Sequence, residues 1–229
     1  SLKGSLVEPL VHSQARLHAC VFEAAPGARV EEDFAAWEQS LFQEWGQALG
    51  TIHALSKGFH PSGIRRLRWN EDDVLLNARN YIPAQETAAR EELERVLIWL
   101  ATLPENAEQF GLIHGDLCCA NFHYDGQRIT SFDFDDSAYH WFVYDIVCAL
   151  APIAFRPHRR LYRQWIIEGY QRANSLPETW QQEFDWFLRL RGLYLFILNL
   201  RNWEGPMAEH PKSNFLNILR HSFEQREGW

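Results

Sequence analysis

Between Gly111 and Asp145 lie 35 residues that constrain this 229-residue chain more than any other stretch. They read GLIHGDLCCANFHYDGQRITSFDFDDSAYHWFVYD, with carboxylates, an asparagine and a histidine set between short apolar pieces. His114, Asp116 and Asn121 stand in the order H-x-D-x-x-x-x-N, and Asp133 follows Asn121 by twelve residues at the end of an apolar run. Asp125-Gly126 is a strong turn pair, so Asn121–Tyr124 and Ile129–Phe132 are predicted to form a β-hairpin. Leu112–His114 is a short predicted strand leading into the loop of Asp116. The spacing fits a fold in which Asp116, Asn121 and Asp133 converge.

Those residue types, brought together, point to phosphoryl transfer. A carboxylate held in a loop can orient an attacking hydroxyl and take its proton, the role predicted for Asp116. Asn121 and Asp133 are predicted Mg²⁺ ligands, because this ion takes hard oxygen donors and draws only one or two from the protein. His114 reads as a brace of the loop. Asp135 and Asp136 could assist the metal, cap the following helix or face a cationic acceptor. Asp145, at the start of a predicted helix, reads as a cap on backbone N–H groups.

The rest of the chain supplies a scaffold. Residues Ser5–Leu10 and Leu17–Glu23 are predicted strands, ended by Pro26-Gly27. Two strands do not make a stable sheet alone, so residues upstream or a second copy are expected to complete it, with a homodimer through the open edges as one outcome. From Glu31 the period changes: Phe34, Trp37, Leu41, Trp45, Leu49 and Ile52 define a helix face to about Leu55. Glu31, Glu32 and Asp33 would complement its dipole. Residues 58–84, with an Arg65-Arg66-Leu67-Arg68 cluster, read as irregular. Helices are predicted at 85–103, 143–155, 158–173, 177–202 and 211–225, the fourth of these apolar almost all round from Phe184 to Leu200.

Composition narrows the function classes. Hydrophobic residues make up 46% of the chain, enough for a substantial core, and a net charge of −8 argues against nucleic-acid or anionic-membrane partners. Cys20, Cys118, Cys119 and Cys148 form no disulfide framework, and no signal peptide precedes them, so reduced thiols and a cytoplasmic location are expected. The longest apolar run near the end, Leu193–Leu198, is too short to span a bilayer.

His-Gly-Asp-Leu at 114–117, Asn121, Phe-Asp-Phe-Asp-Asp at 132–136 and Tyr-Asp-Ile at 144–146 resemble the aminoglycoside phosphotransferase and choline kinase-like family of small-molecule kinases. Val21–Gly27 resembles the hinge between that family's two lobes, and the helix through Trp45-Gly46 and Ile52-His53 resembles the one that follows. The resemblance implies an α+β, protein-kinase-like fold, here mainly the helical C-terminal lobe (28–229) with a hinge and two strands of a small sheet lobe (1–27). It implies transfer of the ATP γ-phosphoryl group to a hydroxyl of an aminoglycoside-, choline- or homoserine-like acceptor. Asp116 would be the base, Asn121 and Asp133 the Mg²⁺ ligands, and Glu23 and Ala25 the adenine-binding backbone. The sequence departs from the family at Cys118, often histidine there. It also departs in the absence of a glycine-rich phosphate loop and of a small-lobe lysine, since Lys3, Lys57 and Lys212 are all misplaced for that role.

Rival readings follow from those departures. A kinase-like module without catalysis, lacking the nucleotide clamp, is one. A zinc site from His114, Cys118, Cys119 and His123 is another, although adjacent cysteines do not fit the usual C-x₂₋₄-C spacing. A metal-dependent hydrolase would want more histidines near the aspartates. The acceptor is open; Trp141, Trp203, Glu204 and Asp136 could box a cationic amine.

Overall fold

A computed structural model of the chain describes residues 7–12, 15–63, 65–154, 156–201, 203 and 209–225. Its bulk is helical, and the described strands form three small antiparallel sheets. Helix α1 (Gln39–Ser56) buries Leu41, Phe42, Trp45, Leu49 and His53 along one face, as the spacing predicts. It crosses α6 (Arg159–Tyr170) where each helix offers bare backbone. A Cβ on Gly46 would lie 1.9 Å from the Ile166 carbonyl oxygen, and one on Gly169 1.8 Å from that of Gln43. No side chain fits between them. Gly169→Ala is therefore expected to cost roughly 3 kcal/mol of stability, the upper range for overpacking. A chemical-denaturation midpoint equal to the parent's would show that the helices can part freely.

Every residue of α5 (Phe142–Leu150) is buried. Against it packs α8 (Phe184–Leu200), which also meets α4 (Thr87–Leu100) and α9 (Ser213–Gln225). Two arginines interrupt the apolar surface of α8. Arg189 donates through Nε and Nη2 to the buried carboxylate of Glu92, at 2.5 and 2.7 Å, and Arg95 donates to the same group at 2.8 Å. Burial alone would push the Glu92 carboxyl up; the two guanidiniums outweigh it and hold it below its usual value.

Strands β1 (Val7–His12) and β2 (Ala15–Cys20) pair only with each other among the described residues. β3 (Ala28–Arg29) joins the predicted hairpin, β5 (Phe122–Tyr124) and β6 (Ile129–Ser131), as its third strand. A further pair, β4 (Phe110–Ile113) with β7 (Ala138–Trp141), runs in the register Phe110↔Trp141 to Ile113↔Ala138. Among the described residues no helix is long and apolar enough to cross a membrane.

Several sequence expectations need correction. The helix expected from Glu31 begins at Gln39. Phe34 and Trp37 do face the core, but from a turn in which Ala36 N–H bonds the Asp33 carbonyl and Trp37 Nε1 donates to the Glu31 carbonyl. Stacked edge-to-face at 4.8 Å, their rings close the end of the helix rather than extend it. Glu31–Asp33 thus lie off the helix, whose first turn holds no acidic residue. The first strands are shifted: Ser5 and Leu6 lie outside the described residues, and Val21–Glu23 leave β2, with Val21 92% and Phe22 85% exposed. Residues 58–84 contain two short helices, α2 (Asp73–Leu76), capped by Asp72 on Val74 N–H, and α3 (Ala78–Tyr81). The helix predicted over 177–202 divides into α7 (Glu178–Gln181) and α8, and Glu183 at the break accepts from Trp99 Nε1. The strand β7 was not predicted, since its four residues, two half-buried followed by two buried, carry no alternation.

Candidate active site

The loop after β4 is built on backbone. Gly115 adopts φ +86°, and a Cβ there would meet the Asp136 carbonyl oxygen at 2.3 Å, so His-Gly-Asp needs its glycine. The amides of His114 and Gly115 donate to the two oxygens of Asp145, at 2.9 and 2.8 Å. Asp145 therefore does cap N–H groups, but those of this loop and not of its own helix. It is completely buried and pairs with His53 Nε2 at 2.9 Å. His53 Nδ1 lies 3.0 Å from the Tyr170 hydroxyl, which accepts from Asn174 Nδ2 at 2.8 Å. Because Asn174 donates to Tyr170, the hydroxyl proton is directed at His53 Nδ1, leaving Nε2–H for Asp145. Burial alone would raise the Asp145 carboxyl; His53 and the loop amide outweigh it and hold it below its ordinary range.

His114 sits between the loop and the hairpin. Its Nδ1 accepts from Asp116 N–H at 3.4 Å and its Nε2 donates to the Phe132 carbonyl at 3.0 Å. Asp116 itself is half-buried. Its Oδ1 accepts from Arg191 Nη2 at 3.1 Å and its Oδ2 from Asn121 Nδ2 at 3.2 Å. Burial pushes the Asp116 carboxyl up, and Arg191 opposes that shift. Asn121 Nδ2 also donates to the Asp116 carbonyl at 2.8 Å, which commits its amide nitrogen and leaves the amide oxygen to another partner. Phe132 N–H donates to the Asn121 carbonyl at 3.0 Å, one rung beyond the hairpin, so Asp133 is the next residue along from that contact. Asp133 is exposed and held at φ 64°, a conformation rare for a residue with a Cβ.

Asn121 and Asp133 thus offer hard oxygen atoms on adjoining segments, the donor type that a divalent cation such as Mg²⁺ takes. Zinc has no comparable donor set: among the described residues no group of three or more His, Cys, Asp or Glu side chains is placed to hold a metal. The two adjacent thiols diverge, Cys118 towards Asp116 and Cys119 towards Glu32. Burial pushes the Cys119 thiol up to about 12, so it stays protonated.

Beside Asp116 opens a cleft of about 550 Å³ whose lining includes Asp72, Asp136, Tyr144, Tyr194, Leu198 and Arg191. His140 also lines it but is a neutral group, pushed down to about 3 by burial, with Nδ1 occupied by Trp141 N–H. Arg66, from the segment predicted as irregular, donates to the carbonyls of Phe134 and Asp135 at 3.1 and 3.0 Å and so steadies the aspartate-rich loop. Asp135 and Asp136 both border the cleft. The cationic box expected from Trp141, Trp203, Glu204 and Asp136 does not form as such. Trp141 is fully buried with Nε1 on the Pro104 carbonyl, Trp203 packs on His210, and Glu204 lies outside the described residues. Trp69, Tyr144 and Tyr194 are the cleft's aromatic residues. In the connecting segment Glu23 is exposed, while the Ala25 carbonyl accepts from His123 Nδ1 at 3.1 Å.

His53 and Arg191 escaped sequence reading. Each is a polar residue at a core-facing position of an apolar helix, and that conflict was the signal available, because a buried polar group needs a partner.

Residues 6–183 match the model of the phosphotransferase enzyme family. The chain belongs to this family. Among its relatives, amicoumacin kinase of Bacillus subtilis (strain 168) is 32% identical over 189 residues, covering 78% of this chain. The chain spans 55% of that relative's length. The solved amicoumacin kinase hAmiN, in complex with AMP-PNP, Ca²⁺ and Ami, superposes with a TM-score of 0.85 at 28% identity, over 98% of this chain and 70% of that one. A microcompartment-associated aminopropanol kinase gives 0.76 at 24% identity, over 97% and 72%, a likeness of fold. This phosphotransferase-family chain accordingly has the protein-kinase-like α+β fold, with its helical part dominant.

Proposed function

We propose that the protein carrying this chain transfers the γ-phosphoryl group of ATP to a hydroxyl of a small amine-bearing acceptor. The observation that carries this reading is the Asp116 carboxylate, held at a cleft by Arg191 and Asn121 while the hairpin brings Asn121 and Asp133 to adjoining positions. The acceptor oxygen would attack the γ-phosphorus as the bond to the bridging oxygen of ADP breaks, and its proton would pass to Asp116. Asp116 is suited to this because burial raises its carboxyl, which favours taking a proton, while Arg191 opposes that shift. Asn121 and Asp133 would hold Mg²⁺, which when bound neutralises phosphate charge. Glu23 and Ala25 would meet adenine through their backbone. Asp135 would stand beside the metal site. His114 would keep the base and the Asp133 segment in register.

For the acceptor, Asp72 and Asp136 supply negative charge in a cleft that also holds Tyr144, Tyr194 and Leu198; the arginines that line it are engaged, Arg66 with the Phe134 and Asp135 carbonyls, Arg191 with Asp116 and Arg201 with Asp73. That lining suits an ammonium group on a partly apolar body. The relative named amicoumacin kinase makes amicoumacin the first acceptor to test, and aminopropanol is a simple amine-bearing alcohol to set beside it. The test is ADP release with ATP, Mg²⁺ and either amicoumacin or aminopropanol, with the product weighed by mass spectrometry. Acceptor-dependent ADP formation that stops on chelation of the metal is expected. ADP release that ignores both acceptors, or none at all, would count against the reading.

A further inference from the structure

Arg191 carries the next step. Two positions before it on α8, Arg189 grips Glu92 with both Nε and Nη2, in a buried cluster shared with Arg95. Arg191 is used differently. It presents Nη2 alone to Asp116 Oδ1, and its Nε is buried with no hydrogen-bond partner. The Arg191 side chain is 13% exposed, its partner's 34%. A desolvated guanidinium with an unfilled donor is a poor way to stabilise an apolar helix, since a well-packed apolar side chain would avoid that cost. Tyr144 and Tyr194 lie beside it, and Asp116 is its ion-pair partner in the cleft wall.

We propose that Arg191 is a positioning residue that sets the orientation of the Asp116 carboxylate. The χ2 torsion of an aspartate is soft, so a single contact does not fix the carboxylate plane. Here Asn121 and, at 3.9 Å, the Cys118 thiol donate to Oδ2 while Arg191 alone holds Oδ1, which keeps a lone pair for an incoming hydroxyl. Without Arg191 the carboxylate would pivot about its contact to Asn121. The catalytic consequence rests on the phosphotransfer reading above; the geometric claim does not. A displacement of about 1 Å in a reacting group can cost on the order of 10²-fold in rate.

The experiment compares Arg191→Met, apolar and of similar reach, with Arg191→Lys. Crystal structures of the parent and of Arg191→Met come first. Asp116 is expected in one orientation in the parent and in another, or in several, in the variant. An unchanged single orientation would overturn the proposal whether or not turnover is found. With ATP and whichever of aminopropanol or amicoumacin the parent phosphorylates, kcat of Arg191→Met is expected to fall about 10²-fold. Arg191 also lines the cleft, so acceptor KM is measured alongside, and the fall in kcat is expected to exceed any change in KM. Arg191→Lys, which keeps the charge without the planar fork, should recover to within about tenfold of the parent. The unfolding midpoint of Arg191→Met should equal or exceed the parent's. A destabilised Met variant with unchanged kcat would assign Arg191 a structural role instead. If the parent phosphorylates neither acceptor, the phosphotransfer reading is what fails, and the crystal comparison still decides Arg191.

Discussion

Asp116→Asn is expected to lower acceptor phosphorylation on the order of 10²–10⁴-fold, the loss typical of a removed general base. Its fold should survive, because the amide matches the carboxylate in size and its oxygen can still accept from Arg191, 3.1 Å from the parent's Oδ1. What it cannot do is take a proton. One side effect follows from the geometry: the new amide nitrogen would face the Asn121 amide nitrogen, donor against donor, where the parent has a hydrogen bond of 3.2 Å. Nucleotide affinity should therefore be measured beside turnover, by calorimetry with ATP in the presence and absence of Mg²⁺. A loss of turnover with affinity kept would isolate the proton-accepting role. Turnover within tenfold of the parent would remove Asp116 from it.

Much of this site could be read from residue order, and the part that could not has a physical reason. The hairpin was legible because Asp125-Gly126 marks a turn between two short apolar pieces; its register, Tyr124 against Ile129, leaves four residues in the loop, where Asp125 Oδ1 accepts from the Gln127 and Arg128 amides. The convergence of His114, Asp116 and Asn121 was legible because all three lie within eight residues of one loop. Arg191 lies 75 residues from its partner Asp116, and His53 lies 92 from Asp145. No local pattern encodes such pairs. Their trace in the sequence is indirect: a charged or titratable side chain stands where helical period demands an apolar one. The start of α1 was misjudged for a related reason. Phe34 and Trp37 satisfy the helical period by facing the same core, yet they reach it from a turn, and periodicity records the facing alone. Asp145 was correctly expected to accept backbone N–H groups, but a rule about helix starts pointed to its own helix. The structure gives those bonds to the loop 30 residues earlier.

Asp145 also underlies the largest stability effect expected here. Asp145→Ala removes a fully buried carboxylate that holds His53 and the amides of His114 and Gly115. Three donors would lose their acceptor in a site closed to water, and breaking a buried pair by deleting one partner typically costs about 3–5 kcal/mol. Asp145→Asn should recover part of this, since one amide oxygen still accepts, while its nitrogen meets a donor. Turnover should fall in both variants even where they fold, because the backbone of the Asp116 loop is what Asp145 fixes. The pH dependence separates this role from simple packing. The Asp145 carboxyl is held below its ordinary value in the folded chain, so its contribution is fully present above the unfolded carboxylate value of about 3.9 and is lost as pH falls through the folded value. The stability difference between parent and Asp145→Ala should therefore be constant near neutrality and shrink only in strong acid. Denaturation midpoints of both proteins across that range measure it. A difference that stays constant down to the acid limit would mean that Asp145 acts by filling space, and that the loop of Asp116 is held by something other than its charge.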